Sequence, residues 1–273
     1  QIQGVAEFLP ISSSGHLALF QTFFGMENME EKYMFFTVLL HFGTLISVCM
    51  VYWRDIVDMI REFFLGIAAL AGRKDTGVAP PPARRMVMLI IIATVPLFVM
   101  VFLQDAVNQL FSNSIMVSCA LLATGFILFF SDRMARGHKT AKNATVADAL
   151  IVGCGQALAV IPGLSRSGTT ISVGMMRGFD RAFAVRFSFL MSLPAVLGAN
   201  VLEIKDALAS NFPIEELPMY LVGVAVSAVV GYFAIRLVKS LSDKGKFGKF
   251  AYYCWAVGLG SLVAGIVKMM LPV

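Results

Sequence analysis

The stretch TVADALIVGCGQALAVIPGLSRSGTTISVGMMR, Thr145 to Arg177, decides how the rest of the chain is to be read. It is apolar over most of its length, yet Pro162, Gly163 and Gly168 stand near its middle, where they would break a spanning helix. Basic residues flank both ends: Arg133, Arg136, Lys139 and Lys142 precede it and Arg177 closes it. Positive loops mark the cytoplasmic side of a membrane protein. A segment that is positive at both ends enters from the cytoplasm and returns there, so this stretch predicts a re-entrant hairpin.

The surrounding composition supports a membrane setting. Of 273 residues, 58% are hydrophobic and 14% charged, and the mean hydropathy is +0.79. A spanning helix takes about 20 apolar residues, and six stretches qualify: 35–53, 86–103, 115–130, 187–202, 219–238 and 250–270. This leaves no room for a separate aqueous catalytic domain. The net charge of +5 does not indicate nucleic acid, because the basic residues cluster in short loops where they orient the spans. Loops 54–85 and 236–249 are basic, loop 104–114 has no basic residue and loop 203–216 is mostly acidic. The acidic run 27–31 reads as external, so residues 1–20 predict a second hairpin, entering from outside. The chain starts at Gln1, within that hairpin, and the helix that should precede Gln3 is expected to lie outside this sequence.

The two hairpins resemble each other. At constant offset Gln3, Ala6, Ser12, Ser14 and Gly15 face Gln156, Ala159, Ser165, Ser167 and Gly168, and each copy has a proline near its turn, Pro10 and Pro162. Ser13 faces Arg166, and His16 faces Thr169. Each hairpin is followed by three spans, one set beginning outside and the other inside. The expected fold is therefore an all-α integral membrane protein of two inverted-topology repeats, residues 1–144 and 145–273, forming one membrane domain with six full spans. Irregular backbone at membrane depth is tolerated where it lines a polar cavity, so a site is expected where the hairpins meet.

The residues there suit phosphoryl transfer. Gln3 and Glu7 lie four apart on one helical face, ahead of Ser12, Ser13, Ser14 and His16. A carboxylate at membrane depth costs about 2.5 kcal/mol or more unless compensated. Arg166, between Ser165 and Ser167 and near Thr170, offers a fork of donors matched to phosphate oxygens. Glu7, helped by the Gln3 carbonyl, could hold a divalent cation through hard oxygen ligands, and Ser13 or a neighbouring hydroxyl could attack with His16 as the candidate base. The bland alternative is an Arg–Glu pair that serves folding alone. Cys49, Cys119, Cys154 and Cys254 stand singly in apolar surroundings, so they predict core packing rather than a zinc site or disulfides. His41 reads as a packing histidine and His138 as a solvated loop residue. The small residues Gly258, Gly260 and Gly265 read as a helix-packing seam.

At Gln3 to Glu7, running into FLPISSSGH, and at PGLSRSGTT, Pro162 to Thr170, the sequence resembles the undecaprenyl-diphosphate phosphatase family, the bacitracin-resistance proteins. The likeness extends over the whole chain. It implies a multi-pass enzyme of the bacterial inner (plasma) membrane, with its site open to the extracytoplasmic side. The enzyme would hydrolyse undecaprenyl diphosphate to the monophosphate and inorganic phosphate, recycling the lipid carrier for peptidoglycan synthesis and conferring bacitracin resistance. The resemblance further implies Mg²⁺ or Ca²⁺ at Gln3 and Glu7, transfer served by Glu7, Ser13, His16 and Arg166, and diphosphate held by Ser12, Ser14, Ser165, Arg166, Ser167 and Thr170. The partners are then a polyprenyl diphosphate and the bilayer, no nucleic acid, with a homodimer compatible. The rival reading is a polyprenyl-phosphate transporter or flippase, which would bind the same headgroup without cleaving it.

Overall fold

The computed structural model describes residues 4, 6–24, 29–72, 80–111, 113–209 and 217–270. Gln3, the expected cation ligand, lies outside them. The described chain is helical, and its only β feature is an isolated bridge between Lys139 and Phe179. The helices are α1 (Ser13–Phe24), α2 (Met29–Val51), α3 (Trp53–Gly72), α4 (Pro82–Thr94), α5 (Leu97–Phe102), α6 (Gln104–Phe111), α7 (Ser114–Met134), α8 (Val146–Leu158), α9 (Arg166–Met176), α10 (Arg181–Ala209), α11 (Leu217–Asp243) and α12 (Phe250–Met270). Five are long and apolar enough to cross a bilayer: Pro82–Phe102, Ser114–Met134, Arg181–Gly198, Pro218–Asp243 and Phe247–Met270. The sixth expected span falls within α2, whose described apolar part is Leu39–Val51.

The stretch 54–85, read above as a loop, contains the 20-residue helix α3. Its charged residues Asp55, Asp58, Arg61 and Glu62 recur at helical spacing between Ile56, Met59, Phe63 and Phe64, the pattern of a helix lying at a membrane surface. Counting charges sees only its basic residues and so misses the period. Similarly, α6 occupies part of the expected loop 104–114.

Between helices in lipid the hydrophobic effect contributes little, so close packing of small residues has to hold them. α7 and α12 form such a seam. Ser118 Oγ lies 2.8 Å from Ser261 Oγ, and a side-chain carbon on Gly258 would come within 2.9 Å of Leu122. Gly265 faces Ser114 in the same way, but nothing lies within 4 Å of a carbon placed on Gly260, so that glycine is no part of the seam. α2 and α11 form the matching pair: Ser47 Oγ donates to the Ala228 carbonyl at 2.8 Å and Ser227 Oγ to the Leu40 carbonyl at 3.1 Å. Of the cysteines, Cys254 is buried as expected, whereas Cys119 and Cys154 are exposed on the outer face of the bundle.

α8 and α9 are 13 and 11 residues long, about 20 and 17 Å at 1.5 Å per residue, too short to cross a core of about 30 Å. They start and finish at the same place. The Lys139 amide donates to the Gly178 carbonyl and the Asp180 amide to the Lys139 carbonyl, both at 2.9 Å. Buried Asp148, in the first turn of α8, pairs with Lys139 at 2.8 Å and with Arg177 at 2.9 Å. Burial alone would raise its carboxyl pKa, but hydrogen bonds from Lys139, Thr145 and Arg177 outweigh it and hold the group at about 2. Arg181–Asp132, Arg186–Asp55 and Arg84–Glu62 pair where the other helices end or begin nearby.

Candidate active site

Each hairpin turns on residues that cannot continue a helix. α8 ends at Leu158, and Pro162 and Gly163 carry the chain round; Gly163 has φ of +96°, a region L side chains avoid. Ser165 then caps α9, its hydroxyl accepting from the Gly168 amide at 3.2 Å. The turn that precedes α1 repeats the device: Ser12 Oγ accepts from the Gly15 amide at 3.1 Å at the start of α1. Ser12 does so with φ of +65°, unique among the described non-glycine residues. Such backbone persists only where the surroundings hold it, and it gathers at functional sites.

The two turns meet. A side-chain carbon on Gly15 would lie 2.8 Å from Gly163 Cα, and one on Gly168 would lie 3.1 Å from Pro10 Cβ. At Gly15 only glycine lets the two backbones touch, and at Gly168 a larger residue would crowd the Pro10 ring. Thr124 of α7 clasps the second turn, donating to the Gly163 carbonyl at 3.0 Å and accepting from the Ser165 amide at 3.2 Å. Ser167 Oγ donates to the Leu9 carbonyl at 3.3 Å, which ties one turn to the other.

This contact places Glu7 against Arg166. The two form an ion pair, with the carboxylate 8% and the guanidinium 29% exposed. Ser13 Oγ donates to the second carboxylate oxygen of Glu7 at 3.0 Å. A cavity of about 20 Å³ beside them is lined by Glu7, Arg166, Ser167, Ser188, Thr44 and Ser192, room for about one water molecule. The α9 N-terminus also contributes, since its first amides lack intrahelical partners and favour an anion.

The remaining expected residues are placed differently. His16 makes no described hydrogen bond to Ser13. Its Nδ1 lies 2.8 Å from the Ser12 carbonyl, which can only accept, so Nδ1 carries a proton, and Nε2 is hydrogen-bonded with the Tyr253 hydroxyl at 2.8 Å. The two rings stack, with centroids 5.6 Å apart. The hydroxyls of Ser12 and Ser165 are committed to capping, with Ser14 Oγ 3.4 Å from Ser12 Oγ. Buried Thr170 donates to the Arg166 carbonyl at 2.8 Å and bonds Ser188 of α10. Sequence reasoning missed Tyr253, Thr124 and Ser188; each is one of several hydroxyls scattered along a mostly apolar helix, with no local pattern to single it out. Among the described residues no three His, Cys, Asp or Glu gather as a metal site.

Comparison with known proteins gives a consistent result. A family model described as bacitracin resistance protein BacA matches residues 1–260. A protein named undecaprenyl-diphosphatase from Alkaliphilus metalliredigens is 41% identical over 258 residues, 94% of this chain and 93% of that one. Proteins of the same name from Methanosphaera stadtmanae and Halothermothrix orenii are 38% and 40% identical, each over 97% of this chain and 95% of their own length.

Proposed function

The chain belongs to the bacitracin resistance protein BacA family, and from that membership we propose that it hydrolyses undecaprenyl diphosphate to undecaprenyl phosphate and inorganic phosphate. This recycles the lipid carrier of peptidoglycan synthesis and confers bacitracin resistance. The observation that carries the reading is the meeting of Glu7, Ser13 and Arg166 at the tips of two polar turns inside an apolar bundle. The cavity beside them gives a reacting group room that a purely structural pair does not need.

The transfer breaks the bond between the terminal phosphorus and the bridging oxygen, and the electron pair leaves with the lipid phosphate. Arg166 and the α9 amides balance the charge on the nonbridging oxygens. The nucleophile is a water in the adjacent cavity or Ser13, and in the second case a water then cleaves the seryl phosphate, releasing inorganic phosphate and restoring the hydroxyl; Glu7, hydrogen-bonded to Ser13, is positioned to accept the nucleophile's proton. His16 serves the transfer through its bond to the Ser12 carbonyl, one residue before Ser13. Ser12, Ser14, Ser165, Ser167 and Thr170 shape the diphosphate seat, chiefly by holding the two turns in register.

A divalent cation, Mg²⁺ or Ca²⁺, would be held by the hard oxygens of Glu7, which borders a cavity with room for a water, with Gln3, outside the described residues, as the other expected ligand; such ions accept one or two carboxylates and complete their shell with water and substrate phosphate. When bound, it would supply further positive charge for the diphosphate.

We also propose that the chain is two inverted repeats, 1–144 and 145–273, with six spans and two re-entrant hairpins. Equivalent positions support this: Ser12 and Ser165 cap α1 and α9 alike, and the Gly15–Gly163 approach is matched by that of Gly168 to Pro10. The ion pairs of Asp148, Asp132 and Asp55 with basic residues suit a cytoplasmic end, which leaves the site accessible from the extracytoplasmic side of the inner membrane.

The test is phosphate release from a polyprenyl diphosphate by purified protein in detergent, with and without EDTA, beside Arg166→Ala. Metal-dependent release that is lost in the variant is the expected result. Lipid binding without release would instead favour the transporter.

A further inference from the structure

Arg166 also stands in the wall of a second cavity, of about 260 Å³, shared with His41, Gln156, Asn200, Leu97, Val160 and Val196. Gln156 and Asn200 are each 1% exposed. Neither amide atom of Gln156 has a hydrogen-bond partner, nor has Nδ2 of Asn200. Buried carboxamides are almost always paired, and an unpaired one lining a cavity points to a ligand that completes it. α10 lines this space with Ala195 and Val196, just after Pro194, which cannot donate to the helix ladder.

The chemistry of the wall selects the ligand. Amide oxygens could hold a cation, but none of the described lining residues of this cavity is a carboxylate to offset the Arg166 charge, as Glu7 does in the first cavity. Turned the other way, the two amide NH₂ groups join Arg166 as donors for an oxyanion. The repeat supports this choice: Gln156 matches Gln3, but Val160 stands where the first hairpin has Glu7, so the cation-binding carboxylate is absent from this copy. Leu97, Val160 and Val196 are apolar, which a site for free phosphate does not need and the junction of phosphate with hydrocarbon does. We propose that this cavity seats the phosphate that remains esterified to the lipid, with the first carbons of its chain, and that Gln156 and Asn200 donate to its nonbridging oxygens. The proposal rests on the phosphatase reading, because that phosphate is the leaving group on which charge grows.

The test is equilibrium binding of a labelled prenyl monophosphate, and separately of the prenyl alcohol of the same length, to purified full chain in detergent. Gln156→Glu and Asn200→Asp keep the shape and remove donors, and Gln156→Leu covers the case in which a new carboxylate unsettles the fold. Each variant should bind the monophosphate about tenfold or more weakly, as expected for a lost hydrogen bond to a charged group. The alcohol should bind variants and wild type alike. Unchanged monophosphate binding, or equal weakening for the alcohol, overturns the proposal. Failure of the wild type to release phosphate from a prenyl diphosphate would instead overturn the phosphatase reading, since the binding measurement needs no turnover.

Discussion

Arg166→Met separates the electrostatic work of the site from its contribution to folding. Methionine keeps most of the side-chain volume, so the change is chiefly one of charge. It leaves the Glu7 carboxylate, 8% exposed, without its cationic partner. Removing one member of a buried pair costs about 3–5 kcal/mol. Because the Arg166 side chain is 29% exposed, solvent screens the pair and brings the cost below that range, to about 2–3 kcal/mol. The Ser13 hydrogen bond remains to steady the stranded carboxylate. Turnover should fall by about 10²–10³, the scale for losing one preorganised charge at a transition state. Adding Glu7→Gln to Arg166→Met removes the stranded charge; the double variant should recover most of the lost stability and none of the activity. Thermal unfolding in one detergent and phosphate release, measured on wild type, both single variants and the double, complete the cycle. The reasoning is refuted if the double variant is destabilised by the sum of the singles, or if Arg166→Met turns over within about threefold of wild type.

Tyr253→Phe keeps the ring stacked on His16 and removes only the hydroxyl at Nε2. Turnover should fall about tenfold with little change in melting; unchanged turnover would show that the Tyr253 hydroxyl does not help position His16. Gly163→Ala places a carbon 2.4 Å from the Val117 carbonyl at φ of +96° and should cost about 2 kcal/mol or more. Gly260→Ala, with nothing within 4 Å, should be neutral or stabilising by about 0.5–1 kcal/mol; similar melting points for the two would contradict the packing described. The Asp148 carboxyl is held down at about 2 from an ordinary 3.8, so its stabilisation is present above pH 3.8 and is lost as the pH falls toward 2. An Asp148→Asn chain should therefore melt below wild type at neutral pH, with the gap closing on acidification; a constant gap would show that the ionised group is not responsible.

Much of the site was legible because its residues violate what a membrane segment normally tolerates. Glu7 and Arg166 are expensive at that depth, and Pro10, Pro162 and Gly163 break helices whose apolar length would otherwise span. Their types and local spacing were enough to suggest a phosphate site between two turns. The partners of His16, Gln156 and Thr170 were not legible. His16 meets Tyr253 near the far end of the chain, Thr170 meets Ser188, and Gln156 shares a cavity with Asn200.

Helical period, charge and chain-breaking residues act within a turn or two of the backbone, so the amino-acid order alone sets the apolar helices, the two interrupted hairpins and their internal likeness. The depth at which one helix stands against another, and its rotation about its own axis, follow from how small residues such as Gly43, Ser47, Gly258 and Ser261 let backbones approach. Those approaches belong to pairs of helices rather than to either one. The pairing of Glu7 with Arg166 and the turning of His16 toward Tyr253 therefore emerge only when the bundle closes.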